Sequence, residues 1–507
     1  MRVTNNMAAT QALNNIWRNS RHVNGIVQSI ETGKRIQRPS DNPLLSGRVL
    51  RYRTLLSEAE QFIRNAHTGM SWMDVSEAAF DNLLTGNNSI VARVNDAVLR
   101  AADGTTELDN VRAITDEIRQ LFEQLKFVEM NQTYMGRFVF SGFHTDQPPV
   151  LTEAMTDRLF VMQHTFNIRD IESVTTFHRP APNEPLDLPE ASIIKLPFAG
   201  NISFGALAPP VPAAANVPPV GIWDGATPPN QLFDIVEVSI DDPNAYRPPA
   251  GGVPPVIHFV RESGELVLSD DAKDAWADGT VITFHNGDMP PGATATAPQD
   301  LNRGDLNPII NFRSWDITDR ADVRPFDAPS QKFELEIASN SRVQINSHAS
   351  NILTPQMYAD FRNLIRFIDS IEPSDPTSVR AHFQNPPYNK TGEDLENHVS
   401  RFLSDEAGAI ADMIHIRFNN MIELNLHHAG RAQAEHADLG SRMARLEMLQ
   451  IRLEDDEIAY TGLLSDAEDT DIPAAIMLRN NAETAMQNAL RAIAATTQLS
   501  LADFINR

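Results

Sequence analysis

The stretch LNNIWRNSRHVNGIVQSIETGKRIQRPSDNP, residues 13–43, decides how the chain begins to fold. Leu13, Ile16, Ser20, Val23, Val27 and Ile30 recur three and four residues apart and so draw one stripe down a helix. Thr32-Gly33 closes that helix: Gly33 suits a left-handed C-terminal cap, and Lys34-Arg35 stand where a positive charge meets the helix dipole. Ser40-Asp41-Asn42-Pro43 opens the next helix, because a side-chain oxygen caps free backbone amides and proline fits the first helical position.

From there the alternation runs through Val49, Tyr52, Leu56, Ala59, Ile63, Ala66, Met70, Met73, Phe80, Leu84, Val91, Val94, Val98 and Ala101, interrupted by Glu77 and Asn87. Each interruption is either tolerated exposure or a buried polar group that sets register, and the residues leave both readings open. Asp103-Gly104 is read as a turn. Val111, Ile114, Ile118, Leu121, Leu125, Val128, Gln132 and Met135 then form the returning arm of a helical hairpin. Trp17, Trp72, Met70 and Met73 sit on helical faces and are assigned to packing.

The other end mirrors this pattern. Leu439, Met443, Leu446, Gln450, Leu453, Glu457, Tyr460 and Leu464 share a stripe, Ser465 to Asp471 make an acidic break, and a last helix starts near Pro473. That helix carries Ala475, Ala482, Met486, Ala489 and Ile493 on one face, and the chain closes with apolar Leu499, Leu501, Phe504 and Ile505. A monomer could hardly cover such a tip.

Proline separates these ends from the middle: Pro39 and Pro43 precede residue 148, Pro473 follows residue 400, and all the others lie between. There the signals become short alternating runs. Val236 to Ile240 before Asp241-Asp242-Pro243-Asn244 reads as a strand, as does Phe333 to Ile337. Val256 to Val260 turns through Glu262 to Glu265 into Leu266-Val267-Leu268 as a hairpin, while Pro209 to Pro219 and Pro248 to Pro255 are loops or polyproline links. Helical pattern returns near Pro355, with Tyr358, Phe361, Ile365 and Ile368, and a long run from Glu393 to Leu426. The fold class is therefore mainly α with a β-rich insertion. Its expected domains are 1–42 with 466–507 as a terminal coiled coil, 43–145 with 355–465 as a helical bundle, and 146–354 as a β-rich, proline-rich insertion.

A chain of 507 residues holds several cores. A formal charge of -25 argues against nucleic acid or an anionic membrane as partner. Cysteine is absent, which removes disulfides, thiolate metal sites and cysteine nucleophiles. After Met1 no apolar run makes a signal peptide, and nowhere do about 18 consecutive apolar residues offer a membrane span.

For chemistry the sequence offers little, and no cofactor is expected. His415, His427, His428 and His436 are the densest histidines, with Glu435 two turns from His428, but no His-x3-His or His-Glu-x-x-His spacing occurs, so a polar helix face is preferred to a metal site. Asp466, Glu468, Asp469 and Asp471 lack the glycine and distal glutamate of a calcium loop and read as a solvated linker. Phosphate-binding glycine motifs and nucleophile elbows are missing, and no two carboxylates are singled out as an acid–base pair. An enzyme is not expected. The alternative from another class is a carbohydrate-binding or hydrolytic module in residues 146–354.

Glu31-Thr32-Gly33-Lys34-Arg35-Ile36 and Pro39-Ser40-Asp41-Asn42-Pro43 after the first helix resemble the N-terminal region of the bacterial flagellin superfamily, and within it the hook-associated branch. Arg64-Asn65-Ala66, Ser71-Trp72-Met73 and Gly136-Arg137-Phe138-Val139-Phe140-Ser141-Gly142 resemble the same branch, as do Leu439-Gly440-Ser441-Arg442, Ser465 to Asp471 and Leu499-Ser500-Leu501 at the other end. Flagellins proper usually carry alanines where this chain has Pro39 and Pro43. The resemblance covers about residues 1–145 and 400–507.

It implies a structural protein of the extracellular flagellum, exported unfolded without a cleavable signal peptide, that stands between hook and filament and supports motility; a filament subunit is the alternative. The implied architecture is a flagellin-like antiparallel bundle and coiled coil of N- and C-terminal segments with a variable, outward-facing central domain. Implied partners are other copies in a ring or tubular layer, another hook-associated protein, flagellin and an export chaperone. The expected assembly interface is Leu13, Ile16, Val23, Val27, Ile30, Met486, Leu490, Ile493, Leu501 and Phe504.

Overall fold

A computed structural model describes residues 5–103, 107–153, 158–175, 190–198, 202–204, 217–224, 231–240, 242, 244–249, 252–286, 303–319, 321–327 and 331–505; within its terminal helices it leaves out the side chains of 5–9, 12, 492, 493 and 495–505. In chain order the helices are α1 (Asn5–Thr32), α2 (Pro43–Leu84), α3 (Ile90–Ala101), α4 (Leu108–Gln124), α5 (Asp270–Ala275), α6 (Pro308–Asn311), α7 (Ala349–Ile352), α8 (Pro355–Ser370), α9 (Pro376–Gln384), α10 (Gly392–Glu468) and α11 (Ile472–Ile505). The strands are β1 (Thr133–Tyr134), β2 (Arg137–Phe138), β3 (Phe160–Phe166), β4 (Glu172–Thr175), β5 (Glu190–Lys195), β6 (Gly221–Trp223), β7 (Asp234–Val238), β8 (Val256–Val260), β9 (Glu265–Leu268), β10 (Thr280–His285), β11 (Arg313–Asp316), β12 (Arg324–Asp327), β13 (Glu334–Ala338) and β14 (Ser341–Gln344). The helical ends and the β-rich middle stand as the patterning predicts.

Prolines that punctuate the sequence also start helices. Asn42 Oδ1 accepts the Leu45 amide at 3.1 Å ahead of Pro43, Thr354 Oγ1 accepts the Met357 amide at 3.1 Å ahead of Pro355, and Asp375 Oδ2 accepts the Ser378 amide at 3.1 Å ahead of Pro376. In each case the cap satisfies an amide that has no partner within the helix, and proline has no amide to satisfy.

Two compact units divide the chain at 68/69 and 445/446, inside α2 and α10. The smaller holds residues 1–68, 336–342 and 446–507, and the larger holds 69–335 and 343–445.

In the smaller unit α1 and α11 pack together, and Ala59 and Ala66 of α2 are buried, as are Leu446 and Ala467 of α10. Asn65 of α2 donates from its side chain to the Glu336 carbonyl at 2.8 Å, so the tip of the β13–β14 hairpin is held there.

The larger unit contains two five-stranded sheets. One runs β12-β11-β3-β10-β6, antiparallel throughout. The other runs β4-β5-β9-β8-β7, antiparallel except for the β7–β8 pair. The expected hairpin is β8 turning into β9, with Val260 opposite Glu265. The core is aromatic: Phe122 stacks on Phe361 with ring centroids 4.8 Å apart, Trp72 stacks on Phe333 at 5.8 Å, and Phe80 meets Phe140 edge-on at 6.1 Å.

Three expectations change. The second stripe does not run unbroken to Ala101: Gly86 turns the chain at φ +83°, and Ser89 Oγ caps α3 by accepting the Ala92 amide at 3.3 Å. Asn87 therefore sits exposed in a turn and sets no helical register, while Glu77 is half-buried on α2. The returning arm stops short of Met135, because α4 passes into a π-helical turn over Leu125–Glu129 and Met135-Gly136, with φ of 51° and 77°, make the two-residue turn between β1 and β2. Gly104 and residues 209–216 lie outside the described residues.

Candidate functional site

The C-terminal end of α1 meets the N-terminal end of α11, so the two helices run antiparallel. Ile16, Val23, Val27 and Ile30 are half-buried on α1, and Ala475, buried, with Ala482, Met486 and Ala489, half-buried, make the matching stripe on α11. Small residues on α11 let the backbones approach but bury little area. Two of the expected interface residues face away from this pairing: Leu13 is 54% exposed and Leu490 46%. The side chains of Ile493, Leu501 and Phe504 lie outside the described residues. Trp17, expected to pack, is 65% exposed, and Ile472, Ile476, Met477 and Leu478 are exposed at the start of α11. A single helical pair covers one stripe of each partner, so a second apolar face remains uncovered within this unit.

The breaks between α1 and α2 and between α10 and α11 are tied together. Lys34 pairs with Asp469 in an isolated antiparallel bridge, the Arg35 amide donates to the Glu468 carbonyl at 2.7 Å, and the Thr470 amide donates to the Gly33 carbonyl at 2.8 Å. Gly33 adopts φ +69°, the left-handed cap that its position predicts. Over this bridge the buried Glu468 carboxylate receives both the Lys34 ammonium and the Arg53 guanidinium of α2. Burial pushes its carboxyl up, but the hydrogen bonds from Arg53 and Lys34 outweigh that and hold it below the usual range. Asp471 Oδ1 caps α11 by accepting the Ala474 amide at 3.1 Å, and Asp469 accepts the Ser465 hydroxyl at 2.6 Å. The acidic break, expected as a solvated linker, is thus a joint whose central glutamate is buried. Lys34 just beyond the opposing turn and Arg53 on α2 were the available signal. Nothing in the sequence pairs positions more than 400 residues apart, so the signal could not be read alone.

The histidines do not converge. His415 Nδ1 lies 2.6 Å from the Ala102 carbonyl, His436 stacks on Phe80 at 5.2 Å, and Glu435 accepts from Asn351 and Arg442. Among the described residues no group of three or more metal-ligating side chains forms. His428 instead joins a cluster that sequence reasoning missed. Its Nε2 lies 2.8 Å from Asp360 Oδ2, the Lys195 ammonium lies 3.0 Å from Asp360 Oδ1, and Lys195 also binds Glu172. Burial works against ionising Asp360, yet the Lys195 charge and the His428 hydrogen bond hold its carboxyl low. Burial raises Glu172 despite Lys195. The cluster latches β4 and β5 to α8 and α10, and a charged residue in the otherwise apolar run Ile193-Ile194-Lys195-Leu196 was its one trace in the sequence.

Residues 3–145 match the sequence family described as the bacterial flagellin N-terminal helical region. Flagellar hook-associated protein 3 of Salmonella typhimurium is 20% identical over 149 residues, which are 29% of this chain and 46% of that protein. Flagellin of Bacillus subtilis is 24% identical over 144 residues, 28% of this chain and 46% of that protein. The chain thus spans less than half the length of these curated relatives. Among solved structures, a putative flagellar hook-associated protein from Vibrio parahaemolyticus aligns over 85% of this chain and all of its own at 10% identity, with a TM-score of 0.33. The family match over residues 3–145 covers α1, its glycine-capped turn and the long α2. Residues 3–145 of this chain are thus similar to the bacterial flagellin N-terminal helical region.

Proposed function

We propose that the chain is a structural component of the bacterial flagellum, the hook-filament junction protein known as hook-associated protein 3 or FlgL. The observation that carries the reading is the terminal pair inside a flagellin-type N-terminal region: α1 and α11 cover one stripe of each other and leave Leu13, Trp17, Ile476 and Met477 to a neighbour. A face that only another copy can cover is the geometry of head-to-tail assembly. Residues 1–42 with 466–507 act as the inner assembly domain, 43–145 with 355–465 as the bundle around it, and 146–354 as the outward insertion. Leu13, Ile16, Val23, Val27, Ile30, Met486, Leu490, Ile493, Leu501 and Phe504 form the polymerisation surface.

The layer works by complementarity of surfaces, one side matching a hook-associated protein and the other templating flagellin, with no catalytic step. Export proceeds through the flagellar secretion apparatus with a chaperone holding the terminal helices. The terminal stripes order fully on assembly, when neighbours supply the missing side.

Deletion of the gene tests the role. Hooks that persist without filaments, with flagellin released into the medium, are the expected result. Normal filaments overturn it. A filament subunit is the second reading, favoured by the flagellin of Bacillus subtilis among the relatives, and copy number along the filament separates the two.

A further inference from the structure

In the larger unit a cavity of about 330 Å³ opens between α4 and α8. Four cations line it, Arg119, Lys126, Arg362 and Arg366, against two carboxylates, Glu123 and Asp369. Asp369 is already taken by Arg119 at 2.6 Å, and Glu123 is exposed and not paired with Lys126. In a chain of net charge -25 this is a local reversal of sign.

The cations are held there by apolar and backbone groups. The Lys126 ammonium stands over the rings of Phe122, Phe127 and Tyr358, 4.9, 5.1 and 5.5 Å from their centroids, and makes no ion pair among the described residues. Arg362 donates to the Pro197 and Leu196 carbonyls at 2.6 and 2.8 Å, and its Nε is buried without an acceptor in the described chain. Burial lowers Lys126 and brings Arg362 down to about 10, outweighing the opposing fields of Glu123 and Asp305 on Lys126 and of Tyr358 and Asp305 on Arg362. Gly304, at φ +89°, closes the back of Lys126: a Cβ there would meet Nζ at 3.0 Å and the Phe127 ring at 3.1 Å.

We propose that this cavity is a carboxylate-binding site, with Lys126 and Arg366 meeting the anion and the Phe122 and Tyr358 rings covering its apolar stem. The volume lies at the lower end of ligand sites and suits a small carboxylic acid or one acidic side chain. Inorganic phosphate would use the charge but not the rings. The carboxylate comes either from a free small acid or from a second copy of this acidic chain.

Benzoate and inorganic phosphate serve as probes on the full chain, with binding followed by ligand-observed NMR and self-association by sedimentation velocity. Saturable benzoate binding, weakened about tenfold in Lys126→Gln and in Arg366→Gln at unchanged circular dichroism and thermal midpoint, is expected, since a charge-assisted contact carries roughly that factor. If the source is a second copy, benzoate and Lys126→Gln also reduce self-association; if it is a free acid, self-association is unchanged. Phosphate binding without benzoate binding overturns the carboxylate assignment. Benzoate binding that survives both substitutions overturns the site, as does no saturable binding together with self-association indifferent to Lys126.

Discussion

The two units bury themselves by different means. In the larger, the biggest fully buried side chains are phenylalanines, Phe80, Phe140, Phe160, Phe259, Phe312, Phe361 and Phe418 among them. In the smaller, the buried apolar positions are Ala59, Ala66, Ala467 and Ala475 with Val49, Ile337, Leu446 and Leu453, and more than half of the exposed large apolar side chains found among the described residues belong to it. Fixing a residue costs about the same conformational entropy in either unit, but the smaller recovers less hydrophobic free energy in return. A unit built that way is stable in an assembly and weak alone. The difference teaches that apolar burial is divided unevenly between the two parts of this chain.

Core substitution gives the sharpest contrast. Phe361→Ala, which removes the ring stacked on Phe122, is expected to cost about 3–5 kcal/mol in the larger unit by chemical denaturation. A loss below about 1 kcal/mol would erase the distinction between a packed and an unpacked unit.

Acidification should also single out the larger unit. Burial pushes His348 down from 6.5 to about 4, so it folds as the neutral form. A group whose folded value is depressed contributes stability above its unfolded value and loses it as pH falls. Between pH 6.5 and 4 this residue alone should therefore weaken the larger unit, by about 2 kcal/mol at pH 5. Denaturation at pH 7 and 5 checks it, with His348→Gln reducing the difference and leaving the share of His164, which burial also brings down to about 4.

In the smaller unit the joint matters most. Glu468→Gln keeps the shape but removes the charge that receives Lys34 and Arg53, and a loss of about 1–2 kcal/mol local to α11 is expected. Its folded carboxyl lies below 4.5, so this contribution holds above 4.5 and fades as pH drops through the folded value. Amide exchange along residues 472–490 reads it out, and unchanged protection would mean that the bridge alone holds the joint.

The smallest effect on the monomer is expected where assembly suffers most. Trp17→Ser and Met477→Ser should shift monomer stability by less than about 0.5 kcal/mol while abolishing filament growth in cells. Strong exchange protection of residues 5–30 and 480–505 in the isolated monomer would contradict a terminal pair completed by neighbours.

Much of the fold was legible because helical periodicity and caps are local. The stripes from Ile16 to Ile30 and from Leu439 to Leu453, the Gly33 cap and the Pro43 and Pro355 helix starts depend on residues within a few positions of one another. Failures came where a local pattern met a local exception: the stripe through Asn87 ignores Gly86, whose positive φ turns the chain after α2, and the arm to Met135 runs past the helix end at Glu129 into the β1–β2 hairpin that Gly136 turns. The expected interface was legible only as a stripe, since spacing shows which residues share a face and not how much of the face the partner helix covers.

The sequence by itself determined two long helical ends around a β-rich insertion, because backbone propensity and side-chain period act over one or two turns. Only the tertiary structure decided that Glu468 is buried under Lys34 and Arg53, that Lys195, Asp360, Glu172 and His428 form one cluster, and that Lys126 and Arg362 face a common cavity. Charge pairing depends on distance in space, and these partners stand from 23 to 434 residues apart along the chain, beyond the reach of any local pattern.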